Sequence, residues 1–175
     1  MSNLGLVEML RYNDWANRTL LEACRNLTDE QLDAALPAAS GPTRELLVHI
    51  VGAQQTYILR TQGRQHEGEL HRQSPWPGMD RLIDLVAETS RQLIAIAEGL
   101  DPTSEVDLPY EGKVYRYPKR FFLVHAVEHG VEHRTEVKLN LGSSGVATPD
   151  LDGWEYGDFA GYGDEVGEEP ARGDG

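Results

Sequence analysis

Residues 118–142 read PKRFFLVHAVEHGVEHRTEVKLNLG, a stretch that begins with a proline and ends with a glycine. Proline is tolerated in the first turn of a helix, and glycine is common just after the last turn. The stretch therefore predicts one long helix that is closed by Gly142. Its three histidines, His125, His129 and His133, are spaced four residues apart. They fall along one side of the helix, each rotated by about 40° from the one before.

Phe121 and Phe122 lie toward the histidine side of this last helix, which indicates that this side is not wholly solvated.

The rest of the chain predicts three more long helices. Apolar residues also recur every three or four positions in three earlier segments, residues 4–26, 40–63 and 79–98. Residues 105–117 instead alternate apolar and polar side chains, which predicts either a small β-hairpin or an extended crossover. The fold class is therefore all-α, a four-helix bundle with a long crossover before the last helix.

The chain of 175 residues fits one domain, and its charge is concentrated at one end. Its net charge is −13, and residues 150–175 contain nine acidic residues and one basic residue. We expect residues 1–160 to form the bundle domain. Residues 161–175 are an acidic, glycine-rich tail that we expect to be disordered.

Composition excludes several classes of function. An acidic chain does not favour nucleic acid or an anionic membrane as a partner, although the bundle itself is only mildly acidic. No apolar run approaches the ~20 residues of a membrane span, and the N-terminus has no signal-peptide pattern. The single Cys24 cannot form an internal disulfide, which fits a reducing compartment. We therefore expect a cytoplasmic protein without a nucleic-acid or membrane partner. We separately expect its substrate to be a small molecule.

The histidine spacing leaves several kinds of site open. Two imidazoles four residues apart on a helix can bind one divalent metal, and His49 in the second long helix is the best-placed third donor. The same histidines could instead form a pH-sensitive face, salt-bridged by Glu132 and Glu136. His49 alone could be an ordinary core histidine. Spacing by itself does not choose among these alternatives.

Four motifs resemble the DinB/YfiT-like family of metalloproteins, over roughly residues 5–155. The most specific is HAVEHGVEHR at 125–134, which is similar to the family's H-x-x-x-H-x-x-x-H-R signature. The segment PDLDGWEY at 149–156 resembles the family's closing segment. YNDWAN at 12–17 and LVHIVG at 47–52 are weaker matches.

This resemblance implies a four-helix bundle in which three histidines bind a divalent metal, commonly zinc or nickel. Carried onto this chain, the ligands are His49, His129 and His133, while His125 lies beside the site. The resemblance also implies a homodimer. Characterised members of the family include metal-dependent transferases that use low-molecular-weight thiols, and a thiol-dependent isomerase.

The chain departs from the family pattern at Glu136, where the family commonly has glutamine. Glu136 could accept a hydrogen bond from a ligand imidazole as a second-shell residue, bind the metal as a fourth ligand, or act as a base. It could also form a salt bridge with Arg134 or with another helix. A fourth protein ligand would favour a closed, less catalytic site.

The function that we expect is a metal-dependent transferase with a low-molecular-weight thiol as cofactor. The alternative is a non-catalytic metal-binding or stress-response bundle with a structural metal. The sequence assigns no catalytic residue. Tyr12, Tyr57 and Arg60 could line the mouth of the site, because each lies on a helix that is expected to border it.

Overall fold

The computed structural model describes residues 3–64, 70–71 and 74–163, and within them the chain forms six helices and one β-hairpin. In chain order the elements are α1 (Leu4–Ala23), α2 (Asp29–Leu32), α3 (Thr43–Thr61), α4 (Met79–Glu98), β1 (Glu105–Tyr110), β2 (Lys113–Pro118), α5 (Lys119–Ser143) and α6 (Gly153–Ala160).

The predicted four-helix bundle is confirmed. The long helices α1, α3, α4 and α5 pack together, and β1 pairs with β2 as an antiparallel hairpin between α4 and α5. Glu105 lies opposite Pro118, and Tyr110 lies opposite Lys113. Gly112 in the turn has a φ of 75°, a conformation that glycine adopts without strain. The hairpin thus spans the crossover that the sequence predicts.

The bundle interior consists of two apolar clusters with a layer of polar residues between them. One cluster surrounds Leu20, Leu46 and Leu82, and the other surrounds Leu10 and Phe122. Every long helix contributes buried polar side chains to the layer, which comprises Asn13, Asn17, Gln54, Thr89, Ser90, His133 and Arg134. Buried polar groups require hydrogen-bond partners, so this layer restricts how the helices can align.

Arg134 is the centre of the polar layer. It is only 2% exposed, and its Nη1 donates to Asn13 Oδ1 at 2.6 Å and to Asn17 Oδ1 at 2.7 Å. Its guanidinium carbon lies 5.6 Å from the ring centre of Tyr12. Burial lowers the pKa of Arg134. Because its hydrogen-bond partners on α1 are neutral amides, the contact joins α5 to α1 without an ion pair.

The C-terminal part of the bundle differs from the sequence prediction in two places. The last long helix does not close at Gly142, because α5 continues to Ser143 and the glycine with positive φ is Gly145, at 73°. The glycine content of residues 143–175 predicts little regular structure after α5, yet α6 forms there. Asp152 starts this helix by accepting hydrogen bonds from two backbone N–H groups of its first turn. Residues 164–175, most of the predicted tail, lie outside the described residues.

Two further features concern Cys24 and the apolar character of the helices. Cys24 is 1% exposed, and burial raises the pKa of its thiol to about 12. Among the described residues, no helix has the length and apolar character needed to span a membrane.

Gly130 provides a test of the contact between α5 and α1. A β-carbon at Gly130 would collide with Asn13 Oδ1 and would lie 2.7 Å from Arg134 Nη1. We expect Gly130→Ala to lower the free energy of unfolding by about 1–3 kcal/mol, since overpacking forces buried groups apart. Urea unfolding monitored by circular dichroism measures this change.

Gly142→Ala is the matched control on the same helix. A β-carbon there meets nothing within 4 Å, and alanine favours helix over glycine by roughly 0.5–1 kcal/mol. Gly142→Ala should therefore leave stability unchanged or raise it. Equal destabilisation by the two variants would show that the contact with Asn13 and Arg134 does not determine the effect.

Candidate metal centre

Three histidines meet where α3 packs against α5. His49 projects from α3, and His129 and His133 project from successive turns of α5. One nitrogen from each ring can be chosen so that all three lie within 4.8 Å of one another. The Nε2 atoms of His49 and His129 are 3.1 Å apart. Nitrogens that each lie ~2.0–2.1 Å from one metal are separated by roughly 3–4 Å, so the group could hold a single divalent ion after a small rotation of the imidazoles brings the nitrogens closer together.

Glu136 lies behind this group and orients one of its members. Its Oε2 is 2.6 Å from Nδ1 of His133. Ser40 donates its backbone N–H to Oε1 at 2.9 Å and its hydroxyl to Oε2 at 2.7 Å. An ionised carboxylate only accepts hydrogen bonds, so Nδ1 of His133 carries the proton and Nε2 is left for a metal.

The charge state of Glu136 follows from the same contacts. Burial raises the pKa of this carboxyl, but hydrogen bonds from Ser40 and His133 outweigh that effect and lower the pKa below its ordinary value. Of the roles open to Glu136, the geometry therefore favours a hydrogen bond to a candidate ligand. Arg134 is not its partner, because that guanidinium binds Asn13 and Asn17 on α1.

His125 lies one turn before the group and is not part of it. Its ring centre is 4.9 Å from that of Tyr57 and 6.1 Å from that of His129. Its Nε2 is 3.8 Å from a carboxylate oxygen of Glu128, and its side chain is 37% exposed. His125 thus lies beside the three-histidine group, one turn closer to the start of α5.

The histidine group opens onto a cleft. His49 and His129 line a cavity of about 260 Å³, together with Tyr57, Arg60 and His71. Burial raises the pKa of Tyr57 to about 12, so its hydroxyl is protonated at neutral pH. The cleft places an open space next to two of the three candidate ligands.

Two of the three expected mouth residues lie at this cleft, and one does not. Tyr57 and Arg60 line it, whereas the expectation for Tyr12 is wrong. Tyr12 packs against Tyr156 of α6 with ring centres 5.6 Å apart, and its hydroxyl donates to the carbonyl of Leu151. Tyr12 therefore contacts the closing segment of the chain, residues 149–156, and does not face the cleft.

Sequence reasoning gave too little weight to His71. The polar composition of residues 64–78 predicts a loop in which His71 is a less suitable ligand, yet His71 lines the cleft beside Leu70. The signal was Gly52, since a β-carbon there would lie 2.5 Å from the backbone oxygen of Leu70. A glycine on the inner side of a helix can mark the close approach of another segment. His66 lies outside the described residues.

Two substitutions at this group should lower its affinity for a metal to different extents. His129→Ala removes one candidate ligand and is expected to abolish stoichiometric zinc binding. Glu136→Gln keeps all three imidazoles but removes the negative charge behind His133, and should weaken binding ~10–100-fold. Competition with a chelating dye measures both effects.

His125→Ala is the control, because it removes an imidazole from the same side of α5 without touching the group. Its affinity for zinc should equal that of the unmodified protein. Tag-free protein that holds less than about half an equivalent of metal under saturating conditions would contradict the site.

Comparison with known proteins agrees with this architecture. A crystal structure of a DinB-like protein from Bacillus cereus ATCC 10987 superimposes with a TM-score of 0.63 and 22% sequence identity, covering 83% of this chain and 95% of that one. This likeness concerns the fold alone. No curated protein matches the sequence. The family model for the DinB family matches residues 1–169, and the chain therefore belongs to the DinB family.

Proposed function

We propose that this protein is a divalent-metal-dependent transferase that uses a low-molecular-weight thiol. The observation that carries the proposal is the position of the three histidines at the edge of a cleft, with Glu136 hydrogen-bonded to His133 and Ser40 behind them. Three protein ligands with adjacent open space are typical of catalytic metal sites, whereas structural sites are closed by a fourth ligand.

The chemistry of the donors supports a thiol cofactor. Imidazole nitrogens suit zinc and nickel, and we propose one of these two metals for the site. A divalent metal held by His49, His129 and His133 would lower the pKa of a thiol that binds next to it, supplying thiolate at neutral pH. The protonated Tyr57 hydroxyl and the positive charge of Arg60 lie in the same cleft, where they could hold a polar substrate.

A non-catalytic metal-binding bundle is the alternative. There, the metal would only join α3 to α5 and stabilise the fold, because an ion bound to the folded state alone raises its stability by mass action. Both functions predict a metal and a higher melting temperature with it. Turnover is what distinguishes them.

The transferase function is tested with metal-free protein, zinc or nickel, a panel of low-molecular-weight thiols and the electrophile 1-chloro-2,4-dinitrobenzene. We expect at least one thiol to form its thioether faster with the metal-loaded protein than with free metal. The increase should disappear in chelator and in His129→Ala. Absorbance of the thioether follows the rate.

The matched control is Arg91→Gln, on the exposed surface of α4 and outside the cleft, which should keep the full rate. Metal-loaded protein that gives no acceleration with any thiol, but melts at a higher temperature than metal-free protein, would favour the structural alternative.

We also propose that the protein is a cytoplasmic homodimer. The exposed side of α5 carries Val124, Val131 and Leu139, which are 48%, 43% and 57% exposed, and a second copy could cover them. Sedimentation equilibrium should give twice the mass of the 19.5 kDa chain. Leu139→Glu should lower that mass to one chain, while a single-chain mass for the unmodified protein would contradict the proposal.

A further inference from the structure

A second cavity lies beside the metal-centre cleft, between the β-hairpin and the start of α5. It has a volume of about 300 Å³. Most of its lining is aromatic, with Tyr110, Tyr115 and Tyr117 from the hairpin and Phe121 and Phe122 from α5. Cavities that bind small molecules begin at about this size, so this one can hold a molecule of a single ring.

The aromatic walls are arranged around a buried floor. Phe122 is 2% exposed, whereas Phe121 and Tyr115 are 44% and 40% exposed. Tyr117 stacks on Phe121, with ring centres 5.6 Å apart and planes 19° from parallel. Half-exposed rings beside an apolar floor gain contact when a further planar ring enters.

Arg60 gives the cavity its charge. It is the one lysine or arginine among the lining residues, and no carboxylate lines either cavity in the described part of the chain. The ion pairs among described residues do not include Arg60. A guanidinium at the wall of an aromatic cavity can bind a carboxylate through two parallel hydrogen bonds.

The hairpin cavity adjoins the cleft at the candidate metal centre. Arg60 lines both cavities, and His125 separates the aromatic wall from the histidine group. The His125 ring centre is 5.6 Å from that of Phe121 and 6.1 Å from that of His129. The ring of His125 therefore lies between Phe121 and the candidate ligand His129.

We propose that the hairpin cavity binds the electrophilic substrate, and that this substrate is a small aromatic molecule with a carboxylate. The ring packs against Tyr115, Tyr117 and Phe121, and the carboxylate pairs with Arg60. The assignment of an electrophile rests on the transferase function proposed above. For an aryl halide, the thiolate sulfur forms a bond to the ring carbon, the carbon–halogen bond breaks, the halide leaves with its electron pair, and the thiol proton passes to solvent.

Binding is tested without any thiol, so that no reaction occurs. Titration calorimetry compares 4-chloro-3-nitrobenzoate with 4-chloro-3-nitrobenzamide, which has the same ring but no charge. The benzoate should bind at least about tenfold more tightly, the effect of one charge-assisted pair. The preference should be the same in metal-free protein, because it comes from Arg60 and not from carboxylate binding to a metal.

Two variants separate the charge from the ring contacts. Arg60→Gln should remove the preference for benzoate, while Arg91→Gln, the same change on the exposed surface of α4, should retain it. Phe121→Ala should weaken both ligands equally, by about three- to tenfold, since it removes a ring contact. Thermal melting checks that each variant is folded.

The outcomes separate this inference from the proposed function. Equal affinity for the two ligands, or a preference that survives Arg60→Gln, would overturn the assignment of the cavity. Transfer to 1-chloro-2,4-dinitrobenzene without benzoate preference would support the transferase and overturn the substrate class. Benzoate preference that depends on Arg60, with no transfer to any electrophile, would support the cavity as an aromatic carboxylate site and overturn its role in transfer.

Discussion

The buried contact between Arg134 and the two asparagines of α1 is the constraint on which the rest of the structure depends. A guanidinium that is taken out of water needs partners in fixed directions, and Asn13 and Asn17 provide them only when α5 lies at one height along α1. Gly130 allows the approach, because any side chain there would displace the contact. His133 directly precedes Arg134, so the same contact fixes the height at which the candidate ligands face α3.

The polar layer also explains why the candidate metal centre can lie inside a bundle. Apolar clusters on both sides of the layer hold the helices together, so the middle can accommodate imidazoles, amides and a guanidinium, even though Asn17 Nδ2 and Arg134 Nη2 have no hydrogen-bond partner among the described residues. Glu136 and Ser40 extend this arrangement to the surface, where a carboxylate fixes the proton of His133. The site is thus prearranged by the protein before any ion binds.

Apolar periodicity was sufficient to predict α1, α3 and α4. The helix α5 has apolar residues on its exposed side as well, so its prediction depended on Pro118, Gly142 and the spacing of its histidines. The position of His49 in the middle of a helix made it the best third donor, but the family resemblance was needed to select His129 and His133, and not His125, as its partners. Spacing along one helix does not show which of its residues face another helix. The role of Glu136 could not be predicted, because Ser40 is distant in sequence and no pattern joins the two. The predicted end of α5 at Gly142 was wrong, because a glycine can continue a helix that is held by packing. The helix α6 was not predicted, because Asp152 can start a helix even in a glycine-rich segment.

The burial of Cys24 makes the thiol of this chain unreactive at neutral pH. Its only thiol is shielded from solvent and protonated far above neutral pH, so the protein does not compete with added thiols for electrophiles or form mixed disulfides with them. In a mixture of protein, small thiol and electrophile, every cysteine-type sulfur that reacts belongs to the small thiol. A thioether formed in such a mixture therefore contains the sulfur of the added thiol and not that of the protein.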